Sequence, residues 1–385
     1  MDSNSDFVKC FDCGNVRSST RWCKDCECNA FKENFRNWAS GNLIVDNFIK
    51  YTQLNTTGNV DYLEYIDFDQ FEFMKKINKG GDFGTIYSAT WMKGPRRIWD
   101  EDAEQWTRNG PIKVALARLH DSQNINEKYL KQLYEYQYSL HESLDSFGIT
   151  LDLTSNYMLV MKYHEYYENR DLYSFLDETQ QMICWKDVVL ILWQISGRIV
   201  HYHEKGLIHG NIHGGNILVE VIQGSFGNID IPDIEPYSIN KENSNEIYGV
   251  LPYVAPEILQ GKPLTESVDI YSFGMIMWTL SAGVLPWCNR PHDSNLASQI
   301  CSGLRPEIRT PNVYTQLMTR CWDSDPSSRP TTSELNDELE TWLSAIDDPN
   351  PSELSEELSN LKKSKFDQQE IHSEAFYTSR MLSFL

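Results

Sequence analysis

Two pairs of cysteines near the start of the chain have the spacing of metal ligands. The pairs are Cys10-x-x-Cys13 and Cys23-x-x-Cys26, separated by nine residues, and Cys28 follows just beyond them. Four thiolates suit tetrahedral zinc, and a segment this short has no core of its own, so a bound metal would supply its folding energy. The sequence therefore predicts a structural zinc site at these four cysteines, without Cys28. A set of free or redox-sensitive thiols is the alternative.

A second stretch that could do chemistry runs from Leu207 to Val219, where apolar pairs flank a polar, Gly-rich loop. Such a pattern is typical of a helix end, a loop and then a strand. The loop resembles the catalytic loop of protein kinases, H-R-D-L-x-x-x-N, whose Asp is the base and whose Asn holds magnesium. Asn216 occupies the Asn position, but Asn211 replaces the base and Gly210 replaces the Arg. The resemblance implies a kinase fold without its catalytic base.

The positions that would hold nucleotide phosphates also depart from the kinase pattern. Gly80, Gly81 and Gly84 follow a strand-like run and resemble the kinase Gly-rich loop, whose backbone N–H groups approach phosphates. Counted back from Gly84, the first Gly position holds Lys79; alternatively Asp82 is an insertion and Asn78 takes that position. The stretch Ile112–Leu119 resembles the strand V-A-x-K, and the position of its phosphate-binding Lys holds Ala117. The resemblance therefore implies a small lobe whose phosphate-binding cation is missing.

Neighbouring cations are poor replacements for that missing Lys. Because side chains alternate along a strand, Arg118 should point away from the face of Ala117, and Lys113 lies two pleats away. A helix is predicted over residues 126–142, and the Glu that would pair with the Lys is replaced there by Gln132. The cation and its anionic partner are thus lost together, which avoids an unpaired buried charge.

Other positions that match the kinase pattern are compatible with a nucleotide-binding site. The strand predicted at Tyr157–Met161 leads into a segment similar to the kinase hinge, with Met161 as the gatekeeper and His164 close behind. Hinge backbone groups bond adenine, so this recognition survives changes of side chain. Asp230 stands at the Asp of the D-F-G motif, which holds magnesium in the family. The resemblance implies that ATP could still bind, with magnesium at Asn216 and Asp230.

Later motifs strengthen the resemblance. Gly249–Glu257 carries the A-P-E signature, Asp269 is placed to brace the catalytic loop, and Arg329 stands where the family has the partner of Glu257. The style is similar to that of tyrosine-kinase-like kinases, and the leader and the run Glu374–Arg380 resemble a large kinase-like family of fungi. The resemblance implies an α+β, two-lobed protein kinase fold, with a β-rich small lobe and a helical large lobe.

The chain divides into four predicted parts. They are a Cys-rich segment (1–30), a helical linker (31–70), a kinase-like domain (71–345) and a polar C-terminal tail (346–385). One or two short helices are predicted in the linker, around Gly41. The charged run from Trp91 to Pro111 predicts an inserted loop. The apolar end of the tail could dock on the body of the protein or on a partner, and we expect the first.

Composition limits the classes of partner. A net charge of −21 over 385 residues argues against non-specific binding of nucleic acid or of an anionic membrane surface. The polar N-terminus lacks the apolar region of a signal peptide, and no run approaches the roughly 18 apolar residues of a membrane span. We therefore expect a cytoplasmic protein without nucleic-acid or membrane partners. The kinase resemblance implies protein partners, whose identity the sequence does not give.

Three functions are compatible with these residues. The first is a pseudokinase, a kinase-fold interaction or allosteric module in signalling that could retain ATP. The second is an active, atypical Ser/Thr or Tyr kinase that uses a relocated Lys. The third is a zinc-dependent adaptor on a kinase-fold platform. Asn211 can orient a hydroxyl through its amide oxygen but is no useful base, so the sequence favours the first function.

Overall fold

The computed structural model describes residues 9–17, 22–35, 39–77, 85–103, 105–119, 122, 125–141, 146–164, 170–179, 184–222, 225–231, 247–310, 312–348, 356 and 370–383. The chain forms two compact units, of which the first comprises residues 1–79 with 84–164 and the second comprises 80–83 with 165–385. None of the helices in the described ranges combines the length and the apolar character that crossing a bilayer requires.

The first unit is built on a six-stranded sheet. Its helices are α1 (Lys24–Asn34), α2 (Leu43–Asn55) and α3 (Glu127–His141), and its strands are β1 (Glu64–Tyr65), β2 (Phe71–Lys76), β3 (Ile86–Trp91), β4 (Arg96–Asp100), β5 (Gln105–Arg108), β6 (Ile112–Arg118), β7 (Ser146–Leu151) and β8 (Tyr157–Lys162). The sheet has the order β1-β7-β8-β6-β3-β2. The β1–β7 pair is parallel and the others are antiparallel. The strands predicted at Tyr157 and in the V-A-x-K stretch are confirmed, as is the helix predicted over 126–142.

Alternation along β6 explains how the sheet is packed. Val114 and Leu116 share one face, where they pack with Trp91 and Val160 in a buried core. β-branched and aromatic side chains suit such a pleated, half-buried surface. Ala117 is fully buried and belongs to the opposite face by parity. Both faces of β6 are therefore covered.

The insertion predicted between strands at Trp91–Pro111 is present, between β3 and β6, but it contains a hairpin where a loop was expected. Strands β4 and β5 pair antiparallel, and Trp99 lies opposite Trp106 with ring centroids 5.5 Å apart. Cross-strand aromatic pairs of this kind stabilise a two-stranded ribbon. The sequence pattern concealed the hairpin because charged residues interrupt the apolar alternation on which the prediction of strands depends.

The hairpin packs on the N-terminal part of the chain through an aromatic cluster. The members of this cluster are Trp22, Phe31, Tyr62 and Trp106. Trp22 is fully buried, and its ring centroid lies 5.7 Å from that of Trp106. Arg96 of β4 adds an ion pair with Glu27 of α1 at 2.8 Å. Helices α1 and α2 lie on either side of Gly41; α2 lies within the predicted linker, whereas α1 begins inside the predicted Cys-rich segment.

The second unit is mainly helical. Its helices are α4 (Leu172–Glu178), α5 (Trp185–Glu204), α6 (Pro256–Leu259), α7 (Ser267–Ala282), α8 (Ser294–Cys301), α9 (Asn312–Cys321) and α10 (Thr332–Asp347), and its strands are β9 (Arg170–Asp171), β10 (Leu218–Ile222), β11 (Ser225–Asp230), β12 (Tyr248–Gly249) and β13 (Arg380–Met381). Every residue of α7 from Val268 to Ala282 is buried. A helix that is covered all round is the centre of a core, and the rest of this unit packs around it.

The end of the chain docks on the second unit, as predicted. Strand β13 pairs antiparallel with β12, and the side chain of Leu382 is buried in the main core of this unit. The predicted ion pair between Glu257 and Arg329 is also confirmed. Both features tie loops of the large lobe to its core.

Candidate functional site

The loop between α5 and β10 is fixed from the core side by one carboxylate. Asp269 of α7 is fully buried and accepts hydrogen bonds from the backbone N–H groups of His209 at 3.0 Å and Gly210 at 2.8 Å. Gly210 has φ of +72°, in the left-handed region that favours glycine. The predicted brace by Asp269 is confirmed, and it gives the loop one defined backbone path.

The two asparagines of this loop lie together. Nδ2 of Asn216 donates a hydrogen bond to the carbonyl oxygen of Asn211 at 2.9 Å, and the backbone N–H of Asn211 donates to Nδ1 of His209 at 3.2 Å. These bonds set the amide plane of Asn216, whose oxygen is the atom that could bind magnesium. Asn211, at the predicted base position, and Asn216, a predicted metal ligand, are therefore held in a single local network.

The side chain of Asn211 holds a hydroxyl group from the end of the chain. Oγ of Ser379 lies 3.0 Å from Nδ2 and 3.1 Å from Oδ1 of Asn211, and it lies 2.7 Å from Nε2 of His213. Ser379 is 3% exposed. A serine hydroxyl thus lies against the residue at the predicted base position. Ser379 was not predicted as a site residue, because the run Glu374–Arg380 carried a family resemblance but no residue role.

Burial disfavours the charged form of both histidines of the loop. Burial lowers the pKa of His213 to about 3, and the nearby His209 adds to this effect. Burial also lowers the pKa of His209. Nδ1 of His213 accepts the N–H of Gly215 at 3.1 Å, so the neutral ring carries its proton on Nε2 and donates it to Ser379. Ser379 is then free to donate its own proton to Asn211.

Asp230, the other predicted magnesium ligand, binds a cation of the protein itself. Its carboxylate lies 2.6 Å from the guanidinium of Arg198 on α5, and Nε of Arg198 donates to the carbonyl oxygen of Ile229 at 3.2 Å. Asp230 ends β11 between two buried isoleucines, Ile229 and Ile231. A metal ion at this carboxylate would have to compete with Arg198, which sequence analysis did not identify.

Strand β6, where the resemblance places Ala117 at the position of the phosphate-binding Lys, is closely packed. Ala117 is fully buried and pairs with Ile86 and Leu159 across the sheet. The guanidinium of Arg118 lies 2.6 Å from the carboxylate of Asp152, and the ammonium of Lys113 lies 3.8 Å from the ring centre of Tyr163. The two cations of β6 therefore already have partners: Arg118 pairs with Asp152, and Lys113 lies over the ring of Tyr163.

The remaining predicted nucleotide contacts are only partly described. Met161 is buried in β8, where it pairs with Ala115, and His164 is half-buried just after that strand. The predicted loop glycines, Gly80, Gly81 and Gly84, lie outside the described residues, so their role as a phosphate cradle stays a prediction.

The four predicted zinc ligands form a cluster in the first unit. The sulfurs of Cys10, Cys13, Cys23 and Cys26 all lie within 4.8 Å of one another. The closest pairs are Cys13–Cys23 at 3.5 Å and Cys10–Cys26 at 3.7 Å. Two sulfurs bound to one zinc ion at about 2.3 Å lie about 3.8 Å apart in a tetrahedron, so this donor set fits zinc.

The cluster already favours one thiolate. A hydrogen bond from the backbone N–H of Cys13 lowers the pKa of Cys10 to about 7, against the opposing effect of burial. Burial raises the pKa of Cys23 and of Cys26. Cys28 faces elsewhere, since its thiol donates to the carbonyl oxygen of Leu54 at 3.6 Å. Its exclusion from the ligand set agrees with the prediction.

Comparison with known proteins connects these motifs to one family. A sequence profile described as protein tyrosine and serine/threonine kinase matches residues 71–339. The probable serine/threonine-protein kinase roco5 of Dictyostelium discoideum is 27% identical over 315 residues, which cover 77% of this chain and 10% of that protein.

Two further relatives have the same character. The dual specificity protein kinase pyk3 of Dictyostelium discoideum is 26% identical, over 72% of this chain and 19% of its own length. The serine/threonine-protein kinase STY17 of Arabidopsis thaliana is 21% identical, over 74% of this chain and 46% of its own. The chain thus spans less than half the length of each of these relatives.

Proposed function

Starting from the fact that this chain belongs to the protein tyrosine and serine/threonine kinase family, we propose that it is a pseudokinase. It acts in signalling by binding other proteins through the kinase fold. The observation that carries the proposal is the carboxamide of Asn211 at the base position, where it is hydrogen-bonded to the hydroxyl of Ser379. A carboxamide can orient a hydroxyl group but cannot accept its proton at neutral pH.

The chemical deficit has two parts. Loss of a general base typically lowers a rate by about 10²–10⁴-fold. Ala117 removes a cation from the charge that develops on the transferred phosphoryl group, an electrostatic contribution of similar size. Effects of residues that act as a unit are not additive, so the two are not multiplied. Either one alone makes phosphoryl transfer too slow for an efficient kinase.

Binding of ATP with magnesium belongs to the proposal as a residual property. Kinase folds use this nucleotide in general, and Asn216 and Asp230 are the residues that would hold the metal. The ion pair between Arg198 and Asp230 opposes metal binding, so we expect a weak, magnesium-dependent affinity. The chain's own residues would here orient the ligand without promoting its reaction.

Structural zinc is the second component. We propose that Cys10, Cys13, Cys23 and Cys26 bind one zinc ion as thiolates, in a reducing compartment such as the cytoplasm. The ion would stabilise a segment that also contributes Trp22 to the aromatic cluster. A zinc-dependent adaptor remains the third candidate, in which this segment itself contacts the partner.

An active kinase is the alternative function. It is favoured by the kinase names of the relatives and by the hydroxyl group at Asn211. Phosphate transfer by the purified full chain from radiolabelled ATP to itself or to a general protein substrate, abolished by Asp230→Ala, would select the active kinase. Absence of transfer in protein that unfolds cooperatively supports the pseudokinase. Loss of partner binding in Cys13→Ser and Cys26→Ser variants would select the adaptor.

A further inference from the structure

The end of the chain is attached to the catalytic-loop face by backbone pairing. In the antiparallel pair of β12 and β13, Tyr248 lies opposite Met381 and Gly249 lies opposite Arg380. The N–H of Leu382 extends the ladder by donating to the carbonyl oxygen of Ile247 at 2.8 Å. Pairing of this kind depends on backbone groups, so it can accept any extended segment whose side chains fit the neighbouring surface.

Two side chains anchor this strand. The hydroxyl of Tyr377 donates to the carbonyl oxygen of Pro286 at 2.8 Å, and its ring lies edge-on to the rings of Tyr173 and His292. Leu382 is buried in the core. An aromatic residue and an aliphatic residue therefore pack against the main core of the second unit at the two ends of the segment 377–382.

The serine between these anchors adds polar specificity. Ser379 lies between the amide of Asn211 and the neutral imidazole of His213, and both groups bond its hydroxyl. A hydroxyl group suits this buried position because it can both donate to Oδ1 of Asn211 and accept from Nε2 of His213, whereas a carboxylate cannot donate and would have to be buried as a charge. The surface thus recognises a tyrosine, a serine two residues later and a leucine three residues after that.

We propose that this surface, formed around Asn211, His213 and Tyr248–Gly249, is a binding site for an extended protein segment with the pattern Tyr-x-Ser-x-x-Leu. Residues 377–382 of the chain itself fill the site in cis, and a partner protein carrying the same pattern binds by displacing them. The inference rests on the proposed function, since it assigns the partner chemistry of a kinase fold that binds without catalysing.

Attachment to the same chain favours the internal ligand. A tethered segment has an effective concentration in the millimolar range, so a free peptide competes only when it is abundant or when the tail is weakened. Binding of a free peptide should therefore be measurable in a full-length variant whose own tail has lost its two anchoring side chains.

The test uses a fluorescein-labelled synthetic peptide with the sequence of residues 370–385, and fluorescence anisotropy as the readout. Full-length Tyr377→Ala/Leu382→Asp should bind it at least tenfold more tightly than wild type. The matched control is Ile371→Ala, on an exposed tail residue, which should behave like wild type. A peptide carrying Ser379→Glu should bind the double variant at least tenfold more weakly.

Equal binding of the peptide to the double variant and to wild type would overturn the proposal, as would absence of binding to a double variant that unfolds cooperatively. If the double variant does not fold, hydrogen exchange in the wild-type protein tests the binding site instead. Excess unlabelled peptide should then accelerate exchange at the amide of Leu382, and an unchanged rate would contradict the site.

Mass spectrometry of the same mixtures with magnesium and ATP separates this proposal from the pseudokinase. Phosphorylation of the bound peptide would refute the pseudokinase and leave the binding site standing. A peptide that neither binds nor is phosphorylated would refute the site alone.

Discussion

Arg329 and Glu257 form a bidentate ion pair, with Nη1–Oε1 and Nη2–Oε2 distances of 2.6 and 2.8 Å. The side chains are 0% and 4% exposed. Removal of one member leaves the other charged and buried without its partner, so Glu257→Ala should lower the free energy of unfolding by about 3–5 kcal/mol. Equilibrium urea denaturation of the full chain measures this change.

The exposed pair of Arg320 and Glu338 provides the control. Its guanidinium and carboxylate lie 3.0 Å apart, but the side chains are 48% and 32% exposed. Solvent screening keeps such a pair near 0–1 kcal/mol, so Glu338→Ala should have little effect. Similar losses in the two variants would mean that burial does not determine the strength of the Glu257–Arg329 pair.

Acid should destabilise the large lobe through His213. Its folded pKa of about 3 lies below the unfolded value of about 6.5, so between these limits the unfolded chain binds one proton more than the folded chain. The stability from this group is present above about pH 6.5 and is lost as pH falls, at about 1.4 kcal/mol per unit. Urea midpoints from pH 7.5 to 5 measure the slope.

A His213→Gln variant separates this group from the other acid-sensitive ones. Glutamine does not titrate, and its amide can still donate to Ser379, so the slope below pH 6.5 should become shallower by about 1.4 kcal/mol per unit. Burial also lowers the pKa of His209, and that of His292 to about 4, so a slope remains in the variant. An identical slope in both proteins would exclude His213 as a source.

Breaking the Arg198–Asp230 pair should favour binding of ATP with magnesium. Arg198→Ala removes the competing cation, so the rise in unfolding temperature with excess ATP should be larger than in wild type and should disappear in EDTA. Saturation at 100 times the dissociation constant adds about 2.7 kcal/mol, a shift of several degrees. Differential scanning fluorimetry with magnesium and with EDTA measures it.

The same experiment can show which of two acidic residues binds the metal ion. Asp233 follows Asp230 by three positions, lies outside the described residues, and is the second acidic candidate in this stretch. If Asp230 holds the metal, Asp230→Ala should abolish the shift and Asp233→Ala should leave it unchanged. The reverse result would assign the metal to Asp233 and leave Asp230 as the partner of Arg198.

Purified protein should contain one zinc ion per chain. Cys13→Ser and Cys26→Ser should each lose the metal and lower the unfolding temperature, because binding and local folding are coupled. Cys28→Ser should retain zinc, since the thiol of Cys28 faces the carbonyl of Leu54. Elemental analysis by mass spectrometry measures the content. Wild-type protein that folds fully without zinc after chelation would contradict the site.

Local patterns predicted much of the large lobe correctly. The predicted Asp269 brace and the predicted Glu257–Arg329 pair are both present. These features depend on motifs whose spacing is fixed by short stretches of chain. The fold class and the family could therefore be predicted from the sequence alone.

The contacts of the candidate site could not be predicted in the same way. Ser379 lies 168 positions from Asn211 along the chain. A local sequence pattern does not show which distant hydroxyl group will bind a given loop residue. Arg198 likewise lies on the apolar helix α5, at a position where a cation usually faces solvent, so its ion pair with Asp230 could not be predicted. The β4–β5 hairpin was missed because its stability comes from a cross-strand tryptophan pair within a charged sequence.

The aromatic cluster has a consequence for the evolution of the chain. Trp22 comes from the Cys-rich segment and Trp106 from the hairpin, and each covers the other's ring. Deletion of either element would leave a large aromatic surface in water, which promotes aggregation. We therefore expect the Cys-rich segment and the hairpin to be kept or lost together in evolution. Kinase-like chains that lack the cysteine pairs should lack the hairpin too.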